Sequence, residues 1–164
     1  MGKTLSTVAA RIVVFLATAA SFFVVLFSKG RVEVGGGTNA NWASLEYFMA
    51  TNAIASCYSL LVLFLPSGSR LWRLVAAADS IICLLITTAV AATAAVLDLM
   101  RNGNADVGWR SYCPLDPAYC NHIIGATAAC SFAVLIQIAL VLYTFHVLLN
   151  PLLVGDYPDC RSAR

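Results

Sequence analysis

The sequence predicts an all-α fold: a polytopic membrane protein built as a four-transmembrane-helix bundle, with both termini cytosolic. Three observations predict it. Of the 164 residues, 60% are hydrophobic and 11% are charged, against about 45–50% and about 25% in soluble domains. Mean hydropathy is +0.83. The apolar residues gather into four blocks joined by short polar connections. So few charged side chains cannot cover a soluble surface, which excludes a disordered chain, a nucleic-acid-binding domain and an ordinary cytosolic enzyme. The net charge of +2 singles out no partner, because polytopic proteins carry basic loops for orientation.

The chain reads as a single membrane domain over residues 1–164. The helices fall at about 8–28, 45–65, 73–98 and 122–149. Each is near or above the roughly 20 apolar residues that cross about 30 Å of hydrocarbon, and the last is long enough to tilt or project. Backbone in lipid must bond within its own segment, so blocks of this length are helices. Residues 29–44 are rich in Gly and Asn and form the first outer loop. Residues 66–72 form a tight inner turn, with Pro66 ending the second helix. Residues 99–121, with Pro114 and Pro117, form the second outer loop, and Asn150-Pro151 is expected to end the fourth helix.

The first block is not read as a cleaved leader: its small-residue triplet Ala17-Thr18-Ala19 lies inside the apolar run, not after it. The Met-Gly start matches a crude myristoylation pattern, which Lys3 disfavours.

An even number of spans puts both termini on one side. With that side cytosolic, Lys3, Arg70, Arg73, Arg161 and Arg164 are inside and Lys29, Arg31, Arg101 and Arg110 outside, a modest positive-inside bias. Cys113 and Cys120 in the second outer loop could close an eight-residue ring. A disulfide there requires an oxidising compartment, which agrees with cytosolic termini. Cys57, Cys83 and Cys130 fall within helices and read as small packing residues, and Cys160 in the tail is a candidate palmitoylation site.

Two charges stand inside apolar blocks, Arg11 and Asp79. Each costs at least about 2.5–3.5 kcal/mol at a helix centre on insertion scales. Arg11 precedes Lys29 by 18 residues and Asp79 precedes Asp98 by 19. On helices running the same way the two lie at matching depth, within about 3 Å. Two readings are open: an intramembrane ion pair, or Arg11 snorkelling to the interface with Asp79 hydrated or protonated. Asn52, Gln137 and the Ser/Thr residues are ordinary interhelical hydrogen bonders. Gly125-x-x-x-Ala129, Ala55-x-x-x-Ser59 and Ala91-x-x-x-Ala95 are small-residue pairs that permit close packing.

No phosphate-binding glycine loop, HExxH, GxSxG or CxxC occurs, and the sequence offers no catalytic site. His122 and His146 are about 36 Å apart on an ideal helix and share no metal or haem. Asp106 and Asp116 read as solvated loop charges. No cofactor and no metal is expected.

The arrangement resembles the Casparian strip membrane domain protein-like (CASP-like) family of plants, distant relatives of the four-helix MARVEL proteins. Arg11 and Asp79 match that family's intramembrane pair. Ala53-Ile54-x-x-x-Tyr58-Ser59 matches its second helix. Gly103-Asn104, Trp109, Cys113 and Cys120 match its outer-loop motif. The first outer loop, KGRVEVGGGTNANW, lacks the signature of the members that build the strip, so the chain is similar to the "like" branch. The resemblance implies a non-enzymatic plasma-membrane scaffold with cytosolic termini. It implies a homodimer or higher homo-oligomer, heteromers with paralogues, and recruitment of extracellular wall-modifying proteins. The alternative, from the buried charges alone, is a small transporter or channel subunit.

Overall fold

The computed structural model describes residues 5–32, 43–65, 72–104 and 111–154. Four helices account for almost all of them: α1 (Leu5–Val32), α2 (Ala43–Phe64), α3 (Trp72–Asn102) and α4 (Pro117–Val154). Each contains a stretch long and apolar enough to cross a bilayer. Trp109, Cys160, Asp106 and most of the first outer loop lie outside the described residues.

The helices form a closed square. α1 packs against α2 and α4, and α3 packs against α2 and α4, while α1 and α3 stand on one diagonal and α2 and α4 on the other. Consecutive helices run antiparallel. One end of the bundle, the terminal end, gathers the start of α1, the end of α2 and the start of α3. The other, the loop end, gathers the junction between α3 and α4.

Side chains are sorted as lipid demands. Large apolar residues such as Leu16, Phe27, Leu61, Leu84, Leu135 and Leu142 face outward. The centre holds Val14, Val25, Phe48, Ile86 and Ile123, but also Arg11, Thr18, Ser21, Asn52, Asp79 and Gln137. A soluble protein would not expose so much apolar surface. In a membrane, helices associate through packing and interhelical hydrogen bonds instead. Thr18 on α1 and Ser56 on α2 share a 2.9 Å hydroxyl bond. Ser21 on α1 donates to the Ala126 carbonyl of α4 at 2.9 Å. Across the second diagonal, the Cys130 thiol donates to the Asn52 side-chain oxygen at 3.3 Å.

The helix ends depart from the sequence expectation in α1, α3 and α4. α1 runs from Leu5 to Val32, three residues earlier and four later than expected, and takes up the start of the segment read as the first outer loop. The loop end of α3 runs on to Asn102, because a cap is waiting there. α4 begins at Pro117, five residues before His122. α4 also continues past Asn150-Pro151 to Val154. Proline forfeits the bond from its own nitrogen, but its fixed φ suits the helix that follows, so a last turn survives it. Of the small-residue pairs, Ala55 and Ser59 are buried in the bundle. Ala91 and Ala95 are exposed. Gly125 is exposed too, and a Cβ placed there would meet nothing within 4 Å. Those two pairs do not mediate close packing within the chain. Of the helical cysteines, Cys130 is buried, Cys83 half-buried and Cys57 exposed.

Candidate functional site

The terminal half of the bundle is organised around the Asp79 carboxylate, which is fully buried. Arg11 lies six residues after the start of α1 and Asp79 seven after the start of α3, so both sit about 9–11 Å from their helix starts. The guanidinium crosses the diagonal to meet the carboxylate at two points: Nη1 donates to Oδ1 at 3.0 Å and Nη2 to Oδ2 at 2.7 Å. Parallel two-point pairing of this kind is strong and directional.

The two remaining helices complete the cluster. Tyr58 of α2 donates its hydroxyl to Asp79 Oδ1 at 2.8 Å, with the Val75 carbonyl 3.1 Å away. The Gln137 amide of α4 reaches Oδ1 at 3.3 Å and the Asp79 carbonyl at 3.4 Å. One carboxylate therefore receives donors from α1, α2 and α4. Breaking a buried pair by removing one partner costs about 3–5 kcal/mol, because a lone charge is left behind. Among the described residues, Asp79 is the only buried acid.

The loop end is tied by a second device. Gly103 takes a φ of 69°, a left-handed conformation in which glycine carries no Cβ penalty. Its N–H returns to the Leu99 carbonyl at 2.8 Å, the αL cap of a helix C-terminus. The next orphan carbonyl, Met100, accepts the N–H groups of Tyr112 and Cys113 at 2.8 and 3.0 Å. Cys113 is disulfide-bonded to Cys120, with Cα atoms 5.5 Å apart. Cys120 lies in the first turn of α4. The Tyr112 and Tyr119 rings meet edge to face at 6.1 Å beside the bridge. Asp116 caps α4, its Oδ1 accepting the Tyr119 N–H at 3.0 Å. The last turn of α3 is thus laced to the first turn of α4 through backbone bonds, a disulfide and an aromatic contact.

Several of these residues have roles here that the sequence reading does not assign. Asp116 is not a solvated loop charge but an N-cap, and Pro117 follows it at the first helical position. Asp-Pro is the ordinary signal for that start. Gly103 serves as a helix cap, and Asn104 follows it half-buried. Gln137 carried no signal beyond its polarity. His122 and His146 are both exposed, near opposite ends of α4. Among the described residues no cluster of three potential metal ligands occurs.

Comparison with known proteins gives the relatives of the chain. Residues 1–136 match the family model described as the Casparian strip membrane protein domain. CASP-like protein 1C1 of Arabidopsis thaliana is 33% identical over 156 residues, covering 93% of this chain and 95% of the relative. CASP-like protein 1C3 of Populus trichocarpa is 34% identical over 163 residues, covering 97% and 94%. CASP-like protein 1C2 of Populus trichocarpa is 41% identical over 110 residues, covering 67% and 68%. No solved structure matches the chain.

Proposed function

The chain belongs to the Casparian strip membrane protein domain family, and from that membership we propose that it is a non-enzymatic scaffold of the plasma membrane. In this reading both termini are cytosolic and the disulfide-closed loop is outside. The protein assembles with itself and with paralogues, organises a stable membrane domain, and recruits wall-modifying proteins through its outer loops.

The observation that best supports the reading is the closure of the charge cluster. Arg11 and Asp79 satisfy each other at two points, and Tyr58 and Gln137 take the remaining acceptor capacity of Oδ1. A proton or ion path needs a succession of ionisable groups, or carbonyls freed from helical bonding, across the membrane. The buried acid here is a single one among the described residues, and it holds helices together. A bundle so closed acts on its surroundings through its lipid-facing surface, its loops and its tails.

The test pairs two measurements. Fluorescence recovery of a tagged copy in plant plasma membrane is expected to be slow and incomplete. Purified protein in liposomes is expected to pass protons and inorganic ions no faster than empty liposomes do. Fast recovery together with flux that depends on Asp79 would select the transporter reading instead.

A further inference from the structure

The seam between α1 and α4 opens, at the terminal end, into a groove of about 400 Å³. That volume is within the range of small-molecule sites, about 300–1,000 Å³. Its chemistry is graded along the membrane normal. Ser6, Thr7 and Tyr143 bring three hydroxyls to the end nearest the helix termini. Ala10, Ile136, Ala139 and Leu140 line the deeper part with aliphatic surface. From Tyr143 to Ile136 the groove descends about 10 Å into the hydrocarbon. No residue lining it carries a charge. Arg11, next in sequence to Ala10, is turned inward and held by Asp79.

We propose that this groove is a binding site for a membrane sterol, held with its single hydroxyl among Ser6, Thr7 and Tyr143 and its ring system against Ala10, Ile136, Ala139 and Leu140. The order of polarity matches that amphiphile: a neutral hydroxyl at interface depth and an apolar body below. A phospholipid headgroup would bring a phosphate to a groove with no cation among its described lining residues. The small side chains of Ala10 and Ala139 leave room for a broad, flat occupant. A rigid ring system also loses less conformational freedom on docking than an acyl chain does.

The test is photolabelling of the full-length protein in liposomes, using a photoreactive, clickable sterol in one arm and a photoreactive phosphatidylcholine in the other. Sterol adducts are expected on peptides covering residues 5–10 and 136–143. Unlabelled sterol should compete for them. The parent hydrocarbon lacking the hydroxyl should compete about fivefold less well, the equivalent of one lost hydrogen bond. Ala139→Trp fills the groove and should abolish the adducts, whereas Ala128→Trp, on an outward-facing position of the same helix, should leave them. Tyr143→Phe keeps the packing and removes a hydroxyl, so it reports on the site even if Ala139→Trp misfolds. It should weaken labelling by a similar factor. Equal labelling of the groove by the phospholipid probe, competition that ignores the hydroxyl, or adducts spread evenly over all four helices would each overturn the assignment. So would a disulfide between two copies carrying Ala139→Cys, which would give the groove to a second chain.

Discussion

Arg11 and Asp79 pair across one diagonal of the bundle, joining α1 and α3, which do not pack against each other directly. Sequential neighbours in an up-and-down bundle are held by short loops and by their shared seams. The diagonal has neither, and here a long cationic side chain spans the centre to close it. The same carboxylate then collects Tyr58 and Gln137, so that all four helices are registered on one group.

The donors to Asp79 should rank by strength. Tyr58→Phe removes a 2.8 Å bond to a charged acceptor, a class of bond worth about 1.5–3 kcal/mol. Gln137→Leu removes two long contacts and should cost nearer the ~0.6 kcal/mol average of interhelical bonds in membranes. Thermal unfolding in mild detergent should therefore place Gln137→Leu above Tyr58→Phe, and both above Asp79→Leu. A Gln137→Leu protein less stable than Tyr58→Phe would contradict the ranking.

At the loop end, Gly103→Val should be more damaging than Gly103→Asn. The φ of 69° costs an ordinary L-residue about 1–2 kcal/mol, and asparagine tolerates the region better. Asp116→Ala should lose about 0.5–2 kcal/mol through the missing N-cap, and Asp116→Asn should restore most of it. The measurement is again detergent thermal stability, and equal stability of the Ala and Asn variants would remove the capping role.

Cys113 and Cys120 should be found bonded in protein isolated without reductant, by peptide mass spectrometry. Because the closed ring is short, its loss should cost less than the roughly 3 kcal/mol of a 15-residue loop. The paired Cys113→Ser, Cys120→Ser variant should fold, yet hold α3 and α4 less tightly at the loop end, read as faster amide exchange over residues 111–120. Two free thiols in the native protein would refute the bridge.

Topology gives an independent check. Protease applied to intact cells should spare a C-terminal tag, and a thiol reagent applied from outside after reduction should label Cys113 or Cys120. Digestion of the tag from outside would invert the orientation proposed for the bundle.

How much of this could be read from the chain differs from residue to residue. The four spans follow from hydropathy alone, since a bilayer tolerates little else. Arg11 and Asp79 stand out because charge in an apolar block is costly, and their spacing put them at one depth. That they face each other across the bundle depends on the rotation of α1 and α3, which hydropathy does not encode when every face is apolar. Tyr58 stands out only within the second-helix match and Gln137 only as an interhelical hydrogen bonder. That both converge on Asp79 is not legible for the same reason, since a tyrosine or glutamine in a membrane helix has many ordinary uses. Asp116-Pro117 was legible as a helix start but was overshadowed by the polarity of the loop around it. The persistence of α4 beyond Pro151 went against a general rule about proline that holds better inside a helix than in its last turn.

The most direct test of the account uses surface abundance of three variants, Arg11→Leu, Asp79→Leu and the two combined. Each single change leaves a buried charge alone, at a cost of about 3–5 kcal/mol, whereas replacing a whole buried pair by apolar residues is often tolerated. The account predicts that both single variants are retained inside the cell and that the double variant regains part of the surface population. A double variant no more abundant than the worse single would show that the two residues do not act as a pair. One that folds and reaches the surface in full, but abolishes ion or proton flux measured for the unmodified protein, would make the charges a transport path.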